Sequence, residues 1–295
     1  MGWKICYIYS FYESHMIKVA VTGASGFLGQ HVLNHLNNLP VEVVAITRSK
    51  HTNLPKLVNG LWIELDIQNP PENMLLLMGN PDILIHLAWQ GLPNYKSIHH
   101  FELELPIQYG FLSALIKEGL QSITVAGTCF EYGMQNESLS EKLDTKPSNP
   151  YGFAKDCLRK QLEFLKMQHN FKLTWARLFY LYGDGQSDSS IYQQLKKAIQ
   201  NSEPRFNMSK GEQLRDFLPV EKAAQYLVDL GFMQKDIGVI NVCSGEPISV
   251  RNLVEKWLNE NNWDIELNLG FYPYSEYEPS NFWGDSFYLK SFFKD

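Results

Sequence analysis

The sequence predicts an α/β protein: a Rossmann-type doubly wound parallel sheet with a small C-terminal substrate-binding lobe. Three observations predict it. Short, branched apolar runs alternate with segments whose apolar residues recur every three or four positions, as strands covered on both faces by crossover helices do. A glycine-rich stretch, Thr22-Gly23-Ala24-Ser25-Gly26-Phe27-Leu28-Gly29, joins the first apolar run to the first helical pattern. Tyr151 and Lys155 stand one helical turn apart, so a phenol and an ammonium share a helix face.

The elements follow in order. Residues 17–21 supply the first strand. Glycines after it let the backbone approach a pyrophosphate, and the helix start beyond offers unpaired N–H groups and a partial positive charge. Gly23, Ser25, Gly26, Phe27, Leu28 and Gly29 are therefore candidate cofactor residues, although their glycine spacing is not G-x-G-x-x-G. Residues 41–46, 82–88, 122–126, 173–178 and 239–242 read as further buried strands, and 27–39, 101–118 and 151–168 as helices. Asn149-Pro150 gives the last of these a capping amide and a first-turn proline. A polar loop over 183–190 precedes helices near 191–200, 219–231 and 249–261. The aromatic tail, 270–295, is expected to be irregular and packed on the rest. Residues 16–178 with 212–245 form the expected dinucleotide-binding domain, and 179–211 with 246–295 the substrate lobe.

Strand ends carry the remaining candidates. The second strand ends at Thr47-Arg48-Ser49-Lys50, with no acid to receive a ribose hydroxyl. A guanidinium there suits a 2′-phosphate, so NADP(H) is favoured over NAD(H) as cofactor. Asp66, before Ile67, is read either as an acceptor for the adenine amine or as a turn cap. Leu87 and the small Ala88 allow close approach of the cofactor, while His86 is read as a packed strand residue. Thr128 ends the fifth strand, where a hydroxyl can orient a substrate carbonyl. Tyr151 would move the proton. Its free pKa is about 10, so work near neutrality needs about 4 kcal/mol of stabilisation, expected from Lys155 and the nicotinamide charge.

Composition narrows the classes. The 295 residues are 44% hydrophobic and 20% charged, with a net charge of −6, which fits a folded domain and argues against a nucleic-acid partner. The four cysteines are far apart with no metal-ligand spacing, so no metal is expected, and a reducing cytoplasm fits. No run approaches the roughly 20 apolar residues of a membrane helix. Residues 1–15 are aromatic and lack a signal-peptide pattern; they read as an added extension or a mis-assigned start, or alternatively as a surface arm.

Taken together, the glycine stretch at 22–29, Thr128 before Tyr132-Gly133, Tyr151 with Lys155, Arg177 to Gly183, and Arg215-Asp216-Phe217-Leu218-Pro219-Val220 resemble the extended short-chain dehydrogenase/reductase family of nucleotide-sugar epimerases, dehydratases and reductases. The resemblance covers residues 17–285. It implies a nucleotide-sugar substrate, a homodimer through the helices at 101–118 and 151–168, and Arg215 on the nucleotide diphosphate. Trp89, Glu131 and Tyr180 are the other candidate substrate contacts, beside Thr128.

Departures from the family pattern narrow the reaction. Dehydratases of this family place Asp and Glu after the threonine, where this chain has Cys129 and Phe130, so elimination is disfavoured. Cys129 and the 183–186 loop also miss the cysteine–histidine pattern of the epimerase/reductases. Stretches 87–95 and 127–133 most resemble bacterial dTDP-4-dehydro-6-deoxyglucose reductases and their 6-deoxytalose-forming relatives. The expectation is an NADPH-dependent 4-ketoreductase. A 4-epimerase retaining NAD and a non-catalytic NADP-binding sensor or scaffold are the alternatives.

Overall fold

The computed structural model describes residues 16–49, 54–274 and 279–293, so the extension at 1–15 and Lys50 lie outside the described residues. Seven parallel strands make the central sheet: β1 (Lys18–Thr22), β2 (Glu42–Thr47), β3 (Gly60–Glu64), β4 (Ile83–His86), β5 (Ser122–Thr128), β6 (Lys172–Leu178) and β7 (Gly238–Val242). Their order is β7-β6-β5-β4-β1-β2-β3, so the chain reverses its direction of winding at β1, between β4 and β2. Open sheets of this kind bind ligands where that reversal leaves a crevice at the strand ends. Thr22 pairs with Ile46 on one side and His86 on the other, which fixes three strand ends at one level.

The period-two alternation of the strands explains both cores. Val19, Val21, Val43, Ala45, Ile83 and Ile85 face one layer, with the helices Phe27–Leu36 and Val220–Phe232. Ala20, Val44, Ile46, Leu84, Ile123 and Val125 face the other, with the helices Leu105–Glu118 and Pro150–Leu165. A third core, around Leu195, Phe206, Met208, Leu253 and Trp257, lies under the helices Ile191–Gln200 and Val250–Asn261.

Two expectations need correction. The helix expected over 101–118 is a π-helical turn, His100–Glu104, leading into an α-helix that begins at Leu105. Pro106, in the first turn of that helix, has no N–H to return to the preceding turn, and the wider turn absorbs the missing bond. The tail is irregular only in part. Asn281–Gly284 is a strand that pairs in parallel with Leu214–Arg215 and Glu137–Leu139, and Phe287–Phe292 is a helix. Of its aromatics, Phe282 supplies core, buried against Phe179 and Tyr180, while Phe271, Tyr272 and Phe287 are exposed.

Candidate active site

β1 ends at Thr22, and the chain turns at Gly23 with φ +66°. A Cβ on Gly23 would stand 2.8 Å from the Ala88 backbone nitrogen, so only glycine allows the turn to touch the end of β4. A Cβ on Gly29 would stand 2.2 Å from the Gly23 carbonyl oxygen, which presses the first turn of the Phe27–Leu36 helix against the loop. That helix has no side-chain cap at Gly26. Its first N–H groups are open to an anion, and the residues present therefore fit a dinucleotide pyrophosphate.

A cavity of about 360 Å³ lies at this turn. Gly23, Ser25 and Gly26 line it from the turn, Arg48 from the end of β2, Ile67 from beyond β3, and Leu87, Ala88 and Trp89 from the end of β4. Six expected cofactor residues do not line it: Phe27, Leu28, Gly29 and Asp66, and also Tyr151 and Lys155, which are expected at the cofactor as well as in the chemistry and stand beyond the end of β5. Gly29 is a packing glycine, and Leu28 packs on the core. Phe27 turns away, edge-on to His31 and 3.8 Å from where a Cβ on Gly185 would lie. Asp66 caps a turn, accepting from Gln68 N at 3.0 Å and Asn69 Nδ2 at 3.1 Å. Thr22, Ser49 and Gln90 also line the cavity. Of these, Thr22 stood inside the glycine motif, whereas Gln90 gave no sequence signal.

Thr128, Tyr151 and Lys155 come together at the end of β5. Asn149 Oδ1 accepts the Gly152 N–H at 2.8 Å and starts the helix that carries Tyr151 and Lys155. A Cβ on Gly152 would meet Phe130 O at 2.5 Å, so this helix start lies directly on the Cys129–Tyr132 turn. Tyr151 is 8% exposed, among the rings of Trp89, Tyr95, His100 and Phe130 at 5.3–6.4 Å. Tyr95, in an irregular stretch, and His100, at the start of the π-helical turn, carried no spacing signal that pointed to Tyr151.

The electrostatics differ from the expected arrangement. Burial, with the Tyr95, Glu131 and Cys129 groups adding to it, pushes the Tyr151 phenol above its ordinary value, and a hydrogen bond from Thr128 opposes this. Lys155 Nζ donates to Ala126 O at 2.8 Å and stands 4.0 Å over the Trp89 ring and 6.0 Å from the centre of the Tyr151 ring. Burial brings the Lys155 pKa down to about 7 against the pull of Glu131 and Glu104. The protein alone thus holds Tyr151 as the acid.

Glu131, expected to face the substrate, is instead bonded within the protein. Fully buried, its Oε1 accepts from Thr128 N and from Trp175 Nε1, both at 2.9 Å, and its Oε2 pairs with Arg177 Nε at 2.7 Å. The Cys129 thiol is buried and pushed up, first by burial and then by the Glu131 charge. Trp89 spends its indole N–H on His100 Nδ1 at 3.1 Å. Tyr180 is part-buried between Phe130, Phe217 and Phe282, with the Arg215 guanidinium 5.6 Å from its ring. Arg215 is itself buried and donates to Leu214 O at 2.9 Å. His86 is a packed strand residue, bonded to Thr22 and Gln108, and burial lowers its pKa to about 3.

A doubly wound sheet with this turn at its switch point defines a dinucleotide-binding α/β protein. The sequence model of the NAD dependent epimerase/dehydratase family matches residues 19–242, and the chain belongs to that family. It is 31% identical over 274 residues to dTDP-6-deoxy-L-talose 4-dehydrogenase (NAD(+)) of Aggregatibacter actinomycetemcomitans, covering 91% of this chain and 99% of that protein. It is 25% identical to GDP-6-deoxy-D-mannose reductase of Pseudomonas aeruginosa, covering 81% of this chain and 78% of the relative. Among solved structures, MoeE5 in complex with UDP-glucuronic acid and NAD superposes with a TM-score of 0.78 at 24% identity, covering 93% of this chain and 91% of that one. The UDP-N-acetylglucosamine 4-epimerase of Methanobrevibacter ruminantium M1 gives 0.80 at 22% identity, covering 95% and 92%. These two show the fold. No helix among the described residues is long and apolar enough to cross a membrane.

Proposed function

We propose that the chain is an NADPH-dependent reductase of the 4-keto group of a nucleotide-linked 4-keto-6-deoxy sugar, with a dTDP-linked substrate. One observation carries the reading. Tyr151 is kept protonated beside Thr128, while the two positions after Thr128 hold a thiol raised by burial and a phenyl ring. That set can protonate a carbonyl oxygen but lacks the acid–base pair an elimination needs. The relative named as a 6-deoxytalose 4-dehydrogenase acts at the same sugar position, which supports the substrate class.

When bound, the nicotinamide supplies the hydride to C4. The chain's own residues manage the proton. Tyr151 gives its phenolic proton to the carbonyl oxygen, so that C=O becomes CH–OH, and Thr128 orients that oxygen. Lys155 leaves Ala126 O to hold the ribose hydroxyls and the phenolate. The turn of Gly23, Ser25 and Gly26 holds the pyrophosphate, and Arg48 takes the 2′-phosphate, which is the ground for preferring NADPH. Trp89, Tyr180 and Arg215 bound the sugar-nucleotide side. Residues 16–178 with 212–245 act as the cofactor domain, and 179–211 with 246–295 as the substrate lobe. Exposed Phe153, Phe164 and Leu103, on or beside the two helices expected to pair, support a homodimer.

The test is purified protein with NADPH or NADH and dTDP-4-keto-6-deoxyglucose, followed by nicotinamide absorbance and product NMR. Oxidation of NADPH with formation of a 4-hydroxy sugar is expected. Activity on a nucleotide hexose without added cofactor would instead identify a 4-epimerase, and inertness across a panel of keto sugars a binding protein.

A further inference from the structure

Arg48 follows β2 and Gln90 follows β4, and β1 lies between those two strands. Even so, Arg48 Nη1 donates to Gln90 Oε1 at 2.8 Å. Both residues line the cavity at the glycine turn. The bond therefore bridges the two walls of the crevice at the end of β1.

The Gln90 backbone is anchored. Its N–H donates to Glu104 Oε2 at 3.1 Å, and Glu104 is fully buried. The same oxygen accepts from Gln108 Nε2 at 3.0 Å, and Gln108 Oε1 lies 2.8 Å from His86 Nε2. His86 Nδ1 lies 2.8 Å from Thr22 Oγ1. Thr22 Oγ1 already accepts the Leu87 N–H at 3.2 Å and the Ala88 N–H at 3.4 Å, which uses both its lone pairs, so its own proton goes to His86 Nδ1. His86 then donates from Nε2, and every bond in the chain points toward the Glu104 carboxylate. This buried wire ties Gln90 to the last residue of β1. Arg48, by contrast, is an exposed side chain with many rotamers. The Gln90 amide, carried on an anchored backbone, gives it one neutral acceptor across the crevice.

We propose that Gln90 is a positioning residue that holds the Arg48 guanidinium ready for the 2′-phosphate of the dinucleotide, and so sets the choice between phosphorylated and unphosphorylated adenosine ribose. The proposal rests on the assignment of Arg48 to that phosphate. A guanidinium has five N–H donors, and Gln90 occupies one. An amide holds the group without neutralising it, which leaves its full charge for the phosphate. A carboxylate at this position would pair with Arg48 and repel the phosphate.

The experiment is a binding titration of NADPH and NADH, followed by nicotinamide fluorescence, on the full chain and on R48A, Q90A, Q90E and the R48A/Q90A double variant. R48A is expected to cut the preference for NADPH by about tenfold or more, and Q90A by about three- to tenfold with NADH affinity nearly unchanged. In the R48A background Q90A adds nothing, because the two residues act through one interaction. Q90E weakens NADPH more than Q90A does. If R48A lowers the preference but Q90A leaves it intact, or if the two effects add, the proposal is overturned while Arg48 keeps its assignment. If R48A itself leaves the preference unchanged, the Arg48 assignment fails and takes the proposal with it.

Discussion

Glu131 holds Thr128 in place: its Oε1 accepts the Thr128 N–H at 2.9 Å, while Thr128 Oγ1 accepts the Phe130 N–H at 3.3 Å. The carboxylate also pairs with buried Arg177 at 2.7 Å. Removing it strands a buried guanidinium and frees the end of β5. Glu131→Ala is expected to lose about 3–5 kcal/mol of stability in denaturant unfolding. Adding Arg177→Met should restore part of that loss, since the stranded charge is then gone. A double variant no more stable than the single one would show that the pair is not the source.

Tyr151 is buried, and its phenol is held in the acid form. Phenylalanine fits the same ring cage and removes the hydroxyl, with its proton and its bond to Thr128. Tyr151→Phe is expected to reduce turnover by about 10²–10⁴-fold while cofactor affinity stays within about threefold of the parent. Stopped-flow turnover and a cofactor titration separate the two quantities. Undiminished turnover would remove Tyr151 from the chemistry.

The sheet was legible in the sequence because strands covered on both faces are written as largely apolar runs, as Val43–Ile46 of β2 and Ile83–Ile85 of β4 are. The cluster of Thr128, Tyr151 and Lys155 was legible because Tyr151 and Lys155 are local to one helix and Thr128 ends a strand. What escaped is non-local. Glu131 looked like a pocket acid until Trp175 and Arg177, more than 40 residues away, were seen to consume it. Nothing near Gln90 announces its bond to Arg48, and the strand Asn281–Gly284 forms only because Leu214–Arg215 and Glu137–Leu139 offer it edges. Such features depend on which distant elements meet, and spacing along the chain does not encode that.

Gly29 and Gly110 give opposite expectations for the same substitution. A Cβ on Gly29 meets the Gly23 carbonyl at 2.2 Å and Ala24 backbone atoms at 2.8 Å, so Gly29→Ala must open the turn that would hold a pyrophosphate. Gly110, within the Leu105–Glu118 helix, has nothing within 4 Å of its Cβ position. Gly110→Ala is expected to raise stability by about 0.5–1 kcal/mol through helix propensity. Gly29→Ala should destabilise and weaken dinucleotide binding at least about tenfold. Calorimetry of binding and thermal melts of both variants make the comparison, and normal dinucleotide affinity in Gly29→Ala would contradict the tight-turn account.

Lys155 makes stability depend on pH in a direction opposite to that of a paired lysine. Burial brings its pKa to about 7 from an ordinary value of 10.5, so between those limits the unfolded chain binds more protons than the folded one. Stability therefore rises with pH across that window. The cost of burying the ammonium is present in full below about pH 7 and has vanished by about pH 10.5. Lys155→Met removes the charge and fills the same space. The variant should be more stable than the parent at pH 6, by up to a few kcal/mol, with the advantage shrinking steadily toward pH 10. Denaturant unfolding of both proteins at pH 6, 8 and 10 measures the gap. A gap that does not change with pH would mean that Lys155 keeps its proton throughout, and that Glu104 and Glu131 outweigh its burial.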